Sequence, residues 1–142
     1  MQRVPSLLRR FEIAENSMEP NLSHGDYVIA TRVGAIRRGH VVVFEHPLQP
    51  DFLMVKRVIG MDGETVTISN GTVFINNNQL GEPWTTEPTL SDGSWNIESG
   101  HVFVLGDHRA GSSGDSREIG TISLDGLMVV RMRYWPTLTR VR

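Results

Sequence analysis

Strand-forming residues gather along this chain in short runs between turn signals, and helical periodicity is almost absent. Tyr27 to Arg32, His40 to Phe44, Phe52 to Ile59, Thr65 to Ser69, Thr72 to Asn76, His101 to Leu105 and Leu127 to Tyr134 each predict a strand. The sharpest local signal is Asn70-Gly71 between Thr65–Ser69 and Thr72–Asn76. Asn-Gly suits the positive φ angles of a type I′ turn, so a tight hairpin is expected there. Residues 77–99 are richer in Gly, Pro, Ser and Thr, which predicts an excursion over the surface. No repeat or low-complexity tract interrupts the chain. The expectation is one all-β domain over residues 1–142, an antiparallel barrel or pair of packed sheets, with an N-terminal arm at 1–12 and functional residues on loops and strand ends.

The 142 residues suffice for one domain with a modest core, and a formal net charge of −2 gives no general attraction to nucleic acid. The arginines are scattered, with doublets at Arg9-Arg10 and Arg37-Arg38 but no basic stripe. Absence of cysteine removes disulfides, thiolate metal sites and a cysteine nucleophile together. None of the five histidines forms an HxxxH or HExxH arrangement, and no phosphate-cradling glycine loop occurs, so neither a metal nor a nucleotide cofactor is expected. No stretch approaches the roughly 20 apolar residues of a membrane-spanning helix. A cytoplasmic or peripheral membrane location is therefore expected. Leu7, Leu8 and Phe11 are expected to cover one edge of the core rather than to enter a bilayer.

Three segments carry candidate chemistry. Ser17 lies in Asn16-Ser17-Met18-Glu19-Pro20, where proline stiffens the turn and can fix a nucleophile's orientation. Its backbone N–H is also a candidate oxyanion donor. A serine hydroxyl needs a base, and a lysine serves only if its surroundings make it neutral. Lys56 lies in Met54-Val55-Lys56-Arg57-Val58-Ile59-Gly60. Strand alternation puts it with Phe52, Met54 and Val58, an apolar face that disfavours the ammonium form. Arg57 projects oppositely and is expected to pair or reach solvent. The third segment, Asp107 to Arg117, holds two carboxylates and two arginines, so Asp107 with Arg109 or Asp115 with Arg117 could brace the loop.

Ser17-Met18-x-Pro20, Gly39-x-Val41-Val42-Val43-Phe44, Lys56-Arg57-Val58-x-Gly60 with Gly63, and Gly106-Asp107-x-Arg109 followed by Ser113-x-Asp115-Ser116-Arg117-x-x-Gly120 occur in the order seen in type I signal peptidases, and from Ile13 to Tyr134 the chain resembles that family. These are Ser/Lys endopeptidases that remove N-terminal leader peptides from precursor proteins. The resemblance implies Ser17 as nucleophile, Lys56 as general base, Ser113 as the serine that hydrogen-bonds the lysine, and Asp115 with Arg117 as the bracing ion pair. It also implies a largely antiparallel β fold, with 77–99 as a reduced second domain.

Departures from the family pattern are specific. His108 replaces the usual Asn, and the loop from Arg109 to Asp115 is one residue longer. Glu15 stands two positions before the nucleophile, where members commonly carry Ser or Gly; an ionised carboxylate cannot donate to an oxyanion, so the second donor is unassigned. Motif proximity places Val28, Phe44, Val55 and Arg57 nearest a substrate wall. With no membrane anchor ahead of Ser17, the short chain resembles the branch of nickel-type superoxide dismutase maturation proteases, which is favoured over a minimal general signal peptidase. A self-cleaving repressor-type Ser/Lys peptidase lacks the Gly-Asp-x-Arg segment and needs a helical domain ahead of its serine. A catalytically silent β-barrel binding module would have no reason to keep both Ser17 and Lys56.

Overall fold

Each of the seven expected runs is a strand, with ends displaced by no more than one residue. The computed structural model describes residues 7–142 except Val33. In chain order the elements are β1 (Leu8–Glu12), β2 (Tyr27–Thr31), β3 (Val41–Glu45), β4 (Leu53–Gly60), β5 (Thr65–Ser69), β6 (Thr72–Ile75), β7 (Asn78–Gln79), β8 (Gly93–Asn96), β9 (His101–Leu105), a one-turn helix α1 (Ser116–Ile119), β10 (Ile122–Ser123), β11 (Met128–Trp135) and β12 (Thr139–Arg140). The main sheet runs β1-β2-β11-β3-β4-β9-β10, with β12 added to β11. A second sheet runs β7-β6-β5-β8. The named pairs are all antiparallel.

Strand alternation explains how so small a chain builds three apolar clusters. Val41 and Val43 of β3 join Ile13, Val28, Ala30, Val55 and Val130 in one cluster. Val42 and Phe44, on the opposite face, join Met54, Val58, Val104 and Val129 in a second. Phe103 and Leu105 of β9 turn toward Ile59, Val66, Ile68 and Ile97, tying the second sheet to the first. Strands buried on both faces read as continuous apolar runs, which is why Val41–Phe44 and Val102–Leu105 show no polar alternation.

The β5–β6 turn has Asn70 at φ 49° and Gly71 at φ 81°, the type I′ signature. Within 77–99, β7 and β8 complete the second sheet. Asn76 (φ 49°) and Asn77 (φ 69°) make another two-residue turn, with Ile75 opposite Asn78. Within 1–12, residues 1–6 lie outside the described ones, but Leu8–Glu12 is a strand paired with β2. Phe11 packs on the first cluster, whereas Leu7 and Leu8 are exposed.

Candidate active site

Ser17 sits on the turn between β1 and β2. Met18 and Leu22, both wholly buried, anchor that turn in the first cluster, and Leu22 N–H donates to the Met18 carbonyl at 2.9 Å. Ser17 is thereby held with only 4% of its surface exposed. Its hydroxyl donates to Glu15 Oε1 at 3.1 Å.

Lys56, in β4 directly opposite Val42, shares its strand face with Met54 and Val58 and has no exposed surface. Phe52, expected on the same face, precedes the strand and is 47% exposed. The nearest carboxylate atom to Lys56 Nζ is the same Glu15 Oε1, at 3.6 Å, too long for a hydrogen bond, and among the described residues Nζ has no hydrogen-bond partner. Burial pushes the Lys56 pKa below the usual lysine value; Glu15 and Asp115 pull it back up, Arg117 adds to the lowering, and the net direction is down. Ser17 and Lys56 thus meet at one carboxylate oxygen.

The loop between β9 and α1 closes over this pair. His108 N–H donates to the Ser17 carbonyl at 2.9 Å. Such closeness requires a glycine at 106, since a Cβ there would stand 2.7 Å from Ser17 O and collide with the Ser112 side chain. Asp115 and Arg117 form a two-point ion pair, Nε–Oδ1 at 3.0 Å and Nη2–Oδ2 at 2.8 Å. Asp115 also caps α1 by accepting from Arg117 N–H and receives the Ser112 hydroxyl at 2.8 Å. Although burial alone would raise the Asp115 pKa, the Arg117 bonds outweigh it and hold the carboxylate below its ordinary range. Ser113 is exposed, and no hydrogen bond joins it to Lys56.

Asp107 and Arg109 do not pair with each other. The β4–β9 register sets Arg57 against Leu105, which carries Asp107 over to Arg57. Arg57 donates to it through Nε at 2.8 Å and Nη2 at 2.7 Å. Asn21 adds a third donor at 2.8 Å, and Arg57 stacks over Trp84 at 4.9 Å. Arg109 reaches instead into the 77–99 segment, pairing with Glu82 at 2.5 and 3.1 Å and donating to Thr89 at 2.6 Å. Ala110 N–H meets Glu87 and Arg117 meets the Leu90 carbonyl, so residues 82–90 strap the loop from outside. Glu82, Thr89 and Asn21 carried no motif in the sequence; their roles follow from long-range packing.

A cleft of about 200 Å³ runs between Phe11–Glu15 and Val43, Phe52, Leu53 and Val55, with Glu15 on its lining. Of the four residues placed near a substrate wall by motif, Val55 alone lines it. Among the described residues, β1 is the outermost strand of its sheet on one side of the cleft, and on the other β4 meets β9 only from Arg57 onward. The cleft reaches the dyad through Glu15, since neither Ser17 nor Lys56 lines it, and a larger cavity of about 610 Å³, lined by Arg38, His40, Trp84 and Arg131 among others, lacks all three. Among the described residues no group of acidic, histidine or cysteine side chains is placed to hold a metal ion, and no helix is long and apolar enough to cross a membrane.

The family model described as "Signal peptidase, peptidase S26" matches residues 4–135. The chain belongs to the peptidase S26 family of signal peptidases. It is 32% identical to signal peptidase I of Bacillus caldolyticus, over 89% of this chain and 79% of that protein. Signal peptidase IB of Staphylococcus aureus is likewise 32% identical, over 89% and 77% of the two chains. The crystal structure of a signal peptidase I from Enterococcus faecalis superposes with a TM-score of 0.61 at 27% identity, covering 69% of this chain and 97% of that one. The protein is accordingly a serine endopeptidase that removes signal peptides from precursor polypeptides, on an antiparallel β fold.

Proposed function

We propose that this signal peptidase cleaves through a Ser17/Lys56 dyad. The observation that carries the reading is a buried lysine with no hydrogen bond beside a nearly buried serine, both at Glu15 Oε1. Burial favours the neutral amine that a general base requires. Neutral Lys56 Nζ takes the Ser17 proton as Oγ attacks the peptide carbonyl carbon. The oxyanion is met by the Ser17 backbone N–H. Lys56 then returns the proton to the leaving amine as the C–N bond breaks, leaving an ester on Ser17. Water, deprotonated by Lys56, hydrolyses that ester and restores the hydroxyl.

Asp115 and Arg117 keep the loop pressed on the dyad, and Asp107 and Arg109 moor its other end to β4 and to the strap. Ser113, exposed on the same loop, is the further group assigned to orient Lys56. An extended leader peptide fits the cleft, because the edges of β1 and of Leu53–Lys56 offer backbone groups on either side.

The reading extends to a single catalytic domain over 1–142, with 77–99 as a reduced second domain, acting in the cytoplasm or at a membrane surface. Phe52 and Leu53, exposed at the cleft wall, are the side chains a bilayer would meet. The narrower substrate is a nickel superoxide dismutase precursor; what supports it is the resemblance to the maturation proteases. The test is mass spectrometry of that precursor and of a secretory precursor, each incubated with the parent enzyme and with Ser17→Ala. Cleavage of the dismutase precursor at its leader junction, by the parent alone, is expected. Cleavage of the secretory precursor alone would return the protein to the general signal peptidases.

A further inference from the structure

Glu15 occupies a place that the dyad does not explain. Its Oε1 is the one carboxylate oxygen that meets both reacting groups, accepting from the Ser17 hydroxyl at 3.1 Å and standing 3.6 Å from Lys56 Nζ. The Glu15 side chain is 35% exposed and lines the cleft, while Lys56 is wholly enclosed. We propose that Glu15 is a positioning residue of the dyad, its carboxylate gathering the Ser17 hydroxyl and the Lys56 amine in the substrate-free enzyme and setting the pH at which Lys56 becomes a base. This rests on the Ser17/Lys56 reading.

Two physical arguments carry it. First, the charged groups that face Lys56 are few: Glu15 on the nucleophile's own segment, and Asp115 with Arg117 on the loop and α1. Asp115 and Arg117 largely satisfy each other through their two-point pair. Among the described residues Glu15 has no such cationic partner, so its charge falls on Lys56 uncompensated, favours the ammonium and opposes the effect of burial. Second, attack by Ser17 creates negative charge on the substrate oxygen, and a carboxylate 3.1 Å from Oγ repels it. Glu15 must therefore leave before the chemical step. Its exposed third gives it a route out, and a peptide filling the cleft would press against it. Departure removes the charge that holds the proton on Lys56 and frees the Ser17 hydroxyl to donate to it.

Lys56 is the single lysine of the chain, so the protein labelled with ¹³Cε-lysine gives one side-chain signal to titrate. The experiment follows that signal against pH in the parent and in Glu15→Gln, beside the pH dependence of kcat/KM on a leader peptide. Glu15→Ala serves as a second variant should glutamine disturb the turn. Both midpoints, the Lys56 titration and the acid limb of kcat/KM, are expected to fall by about one pH unit or more when the carboxylate is lost. A Lys56 signal that titrates at the parent pH in both variants overturns the inference, as does a shifted signal with an unmoved acid limb. A parent enzyme that cleaves no peptide defeats the hydrolase reading instead, and the Lys56 titration then still shows whether Glu15 governs its charge.

Discussion

Lys56 and Arg57 follow one another in β4, both without exposed surface, and meet opposite surroundings. Arg57 lies in a two-point ion pair with Asp107, whereas among the described residues Lys56 Nζ makes no hydrogen bond and finds its nearest carboxylate oxygen 3.6 Å away. A buried charge matched in this way stays in place as structure. One left unmatched costs several kcal/mol and tends to shed its proton instead. The same strand therefore supplies a permanent cation on one face and a candidate base on the other.

Because that mismatch opposes folding, Lys56→Met is expected to stabilise the protein at neutral pH, by about 1–4 kcal/mol, since methionine fills similar volume without a charge. The sign with pH follows from the lowered folded pKa. Between that value and the unfolded value near 10.5 the unfolded chain binds more protons, so parent stability rises with pH across the window. The advantage of methionine should be largest below the window and shrink through it. Melting curves at a series of pH values check this, and a variant that melts below the parent at neutral pH would mean Lys56 is favourably paired.

Asp115→Asn and Arg117→Ala should each lower both the melting temperature and the cleavage rate, with a stability loss of about 3–5 kcal/mol where one buried partner is left alone. Asp115 has a folded pKa below its ordinary 3.8. Its contribution is complete above that ordinary value and is lost as pH falls through the folded one. Acid titration of the fold should accordingly show a component in the parent that Asp115→Asn lacks.

Ser112 and Ser113 should separate. Ser112→Ala removes a hydroxyl bonded to Asp115 and is expected to cost about 1 kcal/mol of stability. Ser113→Ala removes an exposed group, so its melting curve should match the parent while kcat falls about tenfold, as for a group that helps orient a catalytic base. Unchanged kcat in Ser113→Ala would dismiss it from the mechanism.

Much of this was legible in the residues. The strands show because their apolar runs are bounded by turn formers, and Asn70-Gly71 declares its hairpin. The Asn76-Asn77 turn was equally available, yet strands of two residues such as β7 carry too few positions to show a period. Ser17, Lys56 and the Asp115–Arg117 pair lie within recognisable motifs. The partners of Asp107 and Arg109 do not, because Arg57 and Glu82 lie 50 and 27 residues away and are brought in only by strand register and by the strap. Glu15 was visible as a departure; its contact with both Ser17 and Lys56 required the fold.

The strap itself is testable. Arg109 is 2% exposed, and Glu82→Ala leaves its guanidinium with Thr89 and the Gly106 carbonyl as its remaining partners. Loss of several kcal/mol is expected, roughly 3 or more, with a matching fall in kcat because the loop it moors also holds the Ser17 carbonyl. A Glu82→Ala protein with parental melting and rate would show that the strap does not support the site.

Whether Ser17 attacks with Lys56 as its base is read from single-turnover cleavage of one leader peptide at neutral pH, followed by mass spectrometry for the parent, Ser17→Ala and Lys56→Met. Both substitutions are expected to reduce the rate by at least about 10⁴-fold while leaving the β fold intact, because nucleophile and base act as one unit. Cleavage by Lys56→Met within about tenfold of the parent would remove lysine from the chemistry.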